Sequence, residues 1–244
     1  MIARAAAALA MLAAAAGGAL AQACPEPLAS ARRLVLVTAD DMATSQASLQ
    51  LFERARPDAP WRAVSAPEPA LIGKTGMAWS HFFRALAQPG EPVKVEGDKR
   101  APAGFYRIGR PFGLVPADRA GYTRITAGMT CVDDVRSPAY NTIVRAAAGA
   151  APHGEKMWRV PEYQRGLFVD YPTDRHARAG SCIFIHVRLP GRTGTGGCVA
   201  LPERRVVALQ EFAAPGAVLA ILPQAALPRL AACLPRPAAA DALN

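Results

Sequence analysis

Apolar runs in this sequence are short, and each is closed by a proline, a glycine or an aspartate. The 244 residues include 22 Pro and 20 Gly, residue types that form turns and interrupt helices. Short runs rich in β-branched and aromatic residues between such turns are typical of β-strands. We therefore predict strands at 33–38, 48–56, 61–64, 70–72, 104–108, 122–125, 167–170, 182–186 and 218–222.

Two segments predict helices. In 79–87, four large apolar residues recur at helical spacing. In 202–212, a proline stands near the start and Glu203 lies in the first turn, where an acidic side chain suits the helix dipole. Many strands with only a few short helices favour a β-rich α+β fold class.

The first 23 residues predict a signal peptide. Arg4 provides a positive start, a run of Ala and Leu provides an apolar middle, and Ala19-Leu20-Ala21 is a small-x-small cleavage site. We expect export to the periplasm or cell envelope, a catalytic domain at 24–235 and a disordered tail at 236–244. A membrane is an expected partner only if the signal is retained or if Cys24 is lipidated.

The chain is basic, but its charge is not arranged for nucleic acid. It has 28 Lys and Arg against 19 Asp and Glu, a formal net charge of +9, and loss of Arg4 with the signal peptide leaves 27 − 19 = +8. The arginines are scattered rather than gathered into basic blocks with interleaved aromatic residues. We expect no nucleic-acid partner, and the charge is compatible with anionic material of the envelope.

The cysteine count is odd. Cysteines at 24, 131, 182, 198 and 233 would tend to pair in an oxidising compartment, and one is left over as a reactive, lipidated or intermolecular thiol. The count does not select the pairs. The chain lacks a CxxC motif or a Cys/His zinc spacing, so we expect no metal.

The segment 181–201 has the clearest chemical pattern. A hydrophobic strand ends at His186, a glycine-rich loop follows, and Cys198 comes twelve residues after the histidine, directly behind Gly196 and Gly197. Because the thiolate is the reactive form of cysteine, a nucleophilic Cys198 needs a base, and His186 is the candidate. The glycines allow a tight turn, and the amides of Gly197 and Cys198 are candidate oxyanion donors.

Thr195 belongs to the same loop, and three other polar residues are weaker candidates for substrate binding. Thr195 would orient the loop or the substrate. Arg188 and Arg192 flank the loop and are candidates for bidentate binding of substrate carboxylates, although a solvated basic loop explains them equally well. Asp98 would line the cleft or, more simply, form a turn, because Asp-x-x-x-Pro stretches commonly do so.

This segment resembles the catalytic stretch of the L,D-transpeptidases, the YkuD-like family, in which a strand histidine and a Ser-His-Gly-Cys-type motif carry the chemistry. The stretch 97–106, Gly-Asp-Lys-Arg-Ala-Pro-Ala-Gly-Phe-Tyr, is similar to a second motif of that family. A third block resembles one envelope-associated branch, and the likeness extends over roughly 33–222. That block is Cys131-Val132-Asp133-Asp134 with Pro138, Tyr140 and Asn141.

The resemblance implies a sandwich of mixed sheets with a few short helices, with Cys198 as nucleophile, His186 as base and Gly197 in the oxyanion site. It implies peptidoglycan L,D-transpeptidation without a cofactor. The thiol attacks the carbonyl of meso-diaminopimelate in a tetrapeptide stem, D-Ala leaves, and an amine of a neighbouring stem resolves the thioester. Stem peptides are then the substrates, and carbapenem-type inhibitors are expected to acylate Cys198 slowly.

The chain departs from the family pattern around the nucleophile. Gly196 stands where the family has a second histidine, Thr195 stands in place of serine, and Ala200 or Leu201 stands in place of Arg or Asn. The unfilled histidine role concerns the acceptor side. A cysteine hydrolase of the L,D-carboxypeptidase or amidase type is therefore an alternative, and so is a non-catalytic cell-wall-binding module.

If Cys198 is the free thiol, four cysteines are available to pair. Cys131 with Cys182 is the first choice, because Cys182 lies on the strand of the candidate base and a bridge there would brace the site. Cys24 with Cys233 would tie the two ends of the chain together, which the chain-entropy model values at ~5 kcal/mol.

Overall fold

The computed structural model describes residues 23–146, 152–213 and 216–235. The predicted signal peptide, apart from its last residue, and the predicted tail at 236–244 lie outside these residues. Fourteen strands occur within them: β1 (Arg33–Ala39), β2 (Gln46–Glu53), β3 (Arg62–Ala63), β4 (Glu68–Leu71), β5 (Met77–Trp79), β6 (Ala101–Gly113), β7 (Thr123–Arg124), β8 (Met129–Cys131), β9 (Ile143–Arg145), β10 (Glu155–Lys156), β11 (Gly166–Asp170), β12 (Phe184–Val187), β13 (Val199–Leu201) and β14 (Val218–Pro223).

Eight of these strands form a closed mixed barrel. They are hydrogen-bonded in the order β1, β14, β6, β11, β12, β13, β4, β2, and β2 pairs back to β1. The pairs β1–β14 and β12–β13 are parallel, and the other pairs in the ring are antiparallel. The predicted α+β sandwich of mixed sheets is therefore wrong: β1 has a partner on each side, so the ring closes and its strands have no free edge.

The main hydrophobic core belongs to this barrel. All six residues of β14 are buried, and so are Leu34 to Val37 of β1. These runs are continuously apolar because both faces of the two strands are covered. In β12 and β13, by contrast, only alternate residues join the main core, namely Ile185, Val187, Val199 and Leu201.

A second, smaller core covers the other face of β12 and β13. Phe184 and Cys198 belong to it, together with Phe112, Met157 and Tyr163. Since successive side chains of a strand point to opposite faces, His186 lies on the same face as Phe184. The cover is formed by the three-stranded sheet β10–β8–β9 and by 3₁₀ turns at Met157–Arg159 and Pro161–Gln164.

The helical predictions had opposite outcomes. The helix α1 (Glu203–Phe212) follows Pro202 as expected. The helix predicted at 79–87 is wrong, because Trp79 ends strand β5 and only Arg84–Leu86 forms a 3₁₀ turn. Trp79 is fully buried, and its backbone bonds to the Val93 region rather than along a helix.

The structure forms two disulfides, Cys24–Cys233 and Cys131–Cys182, and leaves Cys198 free. These are the two pairs expected from the sequence. Two disulfides fit an extracytoplasmic protein, since such bonds persist in oxidising compartments. Over 23–146, 152–213 and 216–235, no helix combines the length and the apolar character needed to cross a membrane.

Candidate functional site

A cavity of about 360 Å³ lies between β12–β13 and the segments that cover them. It brings together most of the residues predicted from the sequence. Its lining includes Cys198, His186, Thr195, Gly196, Gly197, Arg188 and Arg192.

Cys198 lies in the wall of this cavity and is only 7% exposed. Its Sγ accepts a hydrogen bond from the backbone N–H of Phe184 at 3.3 Å, and the thiol donates towards the carbonyl oxygen of Cys182 at 3.5 Å. The donated bond requires the neutral thiol, whereas the Phe184 N–H favours the thiolate. The neighbouring residues therefore fix the position of the sulfur without ionising it.

Burial is the main reason that the Cys198 thiol is hard to ionise. Burial, followed by the nearby Glu155 carboxylate, raises the pKa of the Cys198 thiol to about 12. The Phe184 N–H, Lys94 and the Tyr163 hydroxyl oppose this increase in pKa but do not cancel it. At neutral pH the resting site therefore holds a thiol rather than a thiolate.

His186 is oriented by its own backbone. Its Nδ1 lies 2.9 Å from the carbonyl oxygen of Val187. Because a carbonyl oxygen only accepts, Nδ1 carries the proton and Nε2 is left as the basic nitrogen. Burial lowers the pKa of His186, against smaller opposing effects of the Val187 carbonyl and of Glu162. The imidazole is therefore neutral at rest, as a general base must be.

The strand register places the two groups on one side of the sheet. β12 and β13 pair in parallel, with His186 opposite Ala200 and Ile185 opposite Val199. Cys198, one residue before Val199, is therefore a diagonal neighbour of His186 on the same face. Both side chains line the same cavity. The Tyr163 ring packs edge-on against the His186 imidazole, with 5.5 Å between the two ring centroids.

The glycine-rich loop is held by Thr195. The Thr195 hydroxyl donates to the carbonyl oxygen of Cys198 at 2.7 Å and accepts the N–H of Gly197 at 3.1 Å. Gly197 has φ of 147°, and a Cβ there would lie 3.0 Å from the carbonyl oxygen of Arg100. In the resting structure, the Gly197 amide is thus directed at Thr195, while a Cβ on Gly196 would meet open space.

The charged candidates take different places. Arg192 pairs with Glu162, and both line the cavity together with Arg188. Asp98 instead forms a turn: its carboxylate accepts from Lys94 Nζ at 2.5 Å and from the amides of Val95 and Arg100. That arrangement corresponds to the structural interpretation of Asp98.

Sequence reasoning missed the carboxylates and the tyrosine that complete the cavity. Glu96, Asp133, Glu155 and Glu162 line it, and Tyr163 donates to Glu155 at 2.5 Å. Burial raises the pKa of Glu155 and of Asp133. Glu155, Glu162 and Tyr163 come from one covering segment, whereas Glu96 and Asp133 come from two others, and no spacing in the sequence links the three segments.

A metal centre is not formed by these carboxylates. Throughout the part of the chain that the structure describes, no three His, Cys, Asp or Glu side chains are grouped so that they could hold a metal ion. The site contains a thiol, a basic imidazole nitrogen and charged side chains of both signs. This combination suits nucleophilic attack on a carbonyl group.

No protein-family model matches the chain, and no curated protein matches it. Among solved structures, it is similar to Bd1075 of Bdellovibrio bacteriovorus, with 17% sequence identity and a TM-score of 0.42. The similarity covers 82% of this chain and 50% of that chain, so this chain spans about half the length of Bd1075. A likeness of this size carries no argument about activity.

Proposed function

We propose that the protein is a periplasmic, cysteine-dependent peptidoglycan L,D-transpeptidase that acts on tetrapeptide stems. The observation that carries the proposal is that the free cysteine lines the same cavity as a buried histidine whose Nδ1 is bonded to a carbonyl. The fold of the chain adds no support. The sequence motifs around Cys198 supply the substrate class.

Catalysis begins with a neutral pair. Substrate binding in the cavity brings a carbonyl carbon to the Cys198 sulfur, and the thiol proton passes to Nε2 of His186 as the sulfur attacks. Because burial disfavours both charged forms before substrate binds, proton transfer is coupled to attack rather than preceding it. The resting thiol is thereby protected from unproductive reactions.

The tetrahedral intermediate then loses D-Ala. The carbon–nitrogen bond breaks, the proton on His186 goes to the departing amine, and a thioester to Cys198 remains. When the thioester is resolved, His186 takes a proton from the incoming amine of a neighbouring stem as the new amide bond forms. The carbon–sulfur bond then breaks, and the proton returns from His186 to the sulfur to restore the thiol. Rotation of the Gly197 amide away from Thr195 would supply an oxyanion donor next to the Cys198 amide.

A hydrolase is the second candidate. Gly196 replaces the histidine expected on the acceptor side, and a Cβ at this position would have no atom within 4 Å. That open space favours access of water to the thioester. The same acyl-enzyme would then yield a tripeptide rather than a cross-link.

The raised thiol pKa favours a third candidate, a wall-binding module without catalysis. Product analysis separates the three. The mature protein and a Cys198→Ala variant are incubated with disaccharide-tetrapeptide, and the products are identified by mass spectrometry. Cross-linked dimer from the wild type alone supports the transpeptidase, and tripeptide alone supports the hydrolase. If neither product forms and a carbapenem leaves the mass of the protein unchanged, so that Cys198 is not acylated, the catalytic proposal is wrong.

A further inference from the structure

An ion pair between Arg192 and Glu162 stands in the wall of the cavity. Arg192 belongs to the loop between β12 and β13, and Glu162 belongs to the 3₁₀ turn Pro161–Gln164. The guanidinium side chain is 50% exposed, whereas the carboxylate side chain is only 10% exposed. Arg192 is therefore accessible to a ligand from solvent, whereas Glu162 is buried beneath Arg192.

Both members of the pair act on His186. Glu162 favours the protonated imidazole, and Arg192 disfavours it. Elsewhere around the ring, Tyr163 packs against it, β11 places Gly166 opposite it and β13 places Ala200 beside it. The cavity lining adds Arg188, Lys74, the Cys198 thiol and the carboxylates of Glu96, Asp133 and Glu155 as further titratable groups.

We propose that Arg192 is the binding site for the terminal carboxylate of the substrate, and that this carboxylate displaces Glu162, which then pairs with the protonated form of His186. The inference rests on the proposed function, because it assigns the leaving-group side of the same site. No covalent bond changes in the exchange. The proton that reaches His186 comes from the Cys198 thiol.

The chemistry of the pair supports the exchange. A guanidinium binds carboxylates through two parallel N–H donors, so a ligand carboxylate fits the exposed part of Arg192 as well as Glu162 does. Arg188 and Lys74 also line the cavity, where with Arg192 they offset the carboxylates of Glu96, Asp133 and Glu155. Once released, the buried Glu162 carboxylate needs a new cation, since an unpaired buried charge is costly. The imidazolium formed during attack on the substrate is that cation.

The exchange predicts a specificity. A stem that ends in a free D-Ala carboxylate both binds Arg192 and activates the base, whereas a stem that ends in a carboxamide does neither. We expect the acid to be acylated about tenfold to a hundredfold faster than the amide, the usual effect of a charge-assisted hydrogen bond. This preference should disappear in Arg192→Ala and be largely restored in Arg192→Lys, which keeps the charge.

The exchange is tested without turnover by NMR titration of His186 in the Cys198→Ala background, with N-acetyl-D-alanine as the probe. The probe should raise the pKa of His186 when Arg192 and Glu162 are both present, and should not do so after Glu162→Gln or Arg192→Ala. Without the probe, Glu162→Gln should lower the pKa of His186 and Arg192→Ala should raise it. Arg205→Ala, which breaks a matched pair with Glu68 elsewhere, should change nothing.

The outcomes separate the inference from the proposed function. If His186 responds to the probe through Arg192 and Glu162 but no stem is processed, the exchange site stands and the transpeptidase proposal falls. If stems are processed at equal rates as acid and as amide, and His186 ignores the probe, the exchange site is refuted while the enzyme stands. Glu162→Gln conserves shape, and Arg192→Lys provides a second variant if Arg192→Ala does not fold.

Discussion

The two disulfides serve different parts of the molecule. Cys24–Cys233 joins residues 209 apart in the sequence, packs against the main core and accepts the indole N–H of Trp61 at the Cys233 carbonyl. Cys131–Cys182 joins residues only 51 apart and lies beside the cavity. The carbonyl of Cys182 is the acceptor for the Cys198 thiol.

The chain-entropy model hardly distinguishes the two bonds. For loops of 209 and 51 residues it gives about 5 and about 4 kcal/mol of stabilisation. Their positions differ far more than these energies do. One bond joins the segment before β1 to the segment after β14. The other joins the cover of the cavity to the segment just before β12. The contrast teaches that similar cross-links can act on stability alone or on stability and chemistry together.

The largest expected effect is on stability. The double substitution Cys24→Ser and Cys233→Ser should lower the free energy of unfolding by about 5 kcal/mol, measured by denaturant unfolding. The activity of the protein that remains folded should be unchanged, because neither residue touches the cavity. A fall in kcat at temperatures where the variant is fully folded would break the comparison.

The second effect concerns thiol reactivity. With its pKa raised from the ordinary 9.0 to about 12, Cys198 should be alkylated by iodoacetamide at pH 7 about a thousandfold more slowly than in the unfolded chain. The double substitution Cys131→Ser and Cys182→Ser should speed alkylation, because it loosens the Cys182 carbonyl and admits water.

The terminal disulfide provides the control for that experiment. The variant with Cys24→Ser and Cys233→Ser should keep the slow alkylation of Cys198 at temperatures where it is folded. Equal acceleration in both double variants would show that the two bonds restrain the thiol alike.

A smaller effect is expected in the glycine-rich loop. Thr195→Val removes a hydroxyl that forms two buried hydrogen bonds, one to the Cys198 carbonyl and one from the Gly197 amide. We expect a loss of ~1–3 kcal/mol in unfolding free energy together with a lower kcat. Thr142→Val removes a similar hydroxyl–carbonyl bond at an exposed position and should cost less stability and no activity.

The smallest expected effect is on pH dependence. Burial lowers the pKa of His186 below its ordinary 6.5, so kcat/KM should stay level as the pH falls to 6.5 and decline only below it. The unfolded chain binds the proton more readily, so this histidine also makes the free energy of unfolding decrease as the pH falls below 6.5. Loss of the Cys131–Cys182 disulfide should relieve part of the burial of His186. The acid limb of the kcat/KM profile should then move to higher pH by less than about one unit.

Most strands could be predicted because each needs only a local signal, an apolar run bounded by turn residues. Strands β5, β8, β9, β10 and β13 were missed, and each of them is only two or three residues long. Trp79 misled the helix prediction, since its spacing to Phe82 and Phe83 fits a helix while its burial places it on a strand. The barrel could not be predicted, because its closure requires β1 to pair not only with its sequence neighbour β2 but also with β14, which is far away in the sequence.

The sequence by itself determined that His186 and Cys198 lie in one wall of the cavity, because they belong to neighbouring segments joined by one glycine-rich loop. The tertiary structure alone decided their state. The carboxylates of Glu155 and Glu162 reach the site from a covering segment, and burial by that cover keeps the thiol and the imidazole neutral. Local spacing carries no information about desolvation, since burial depends on every segment that packs over a side chain.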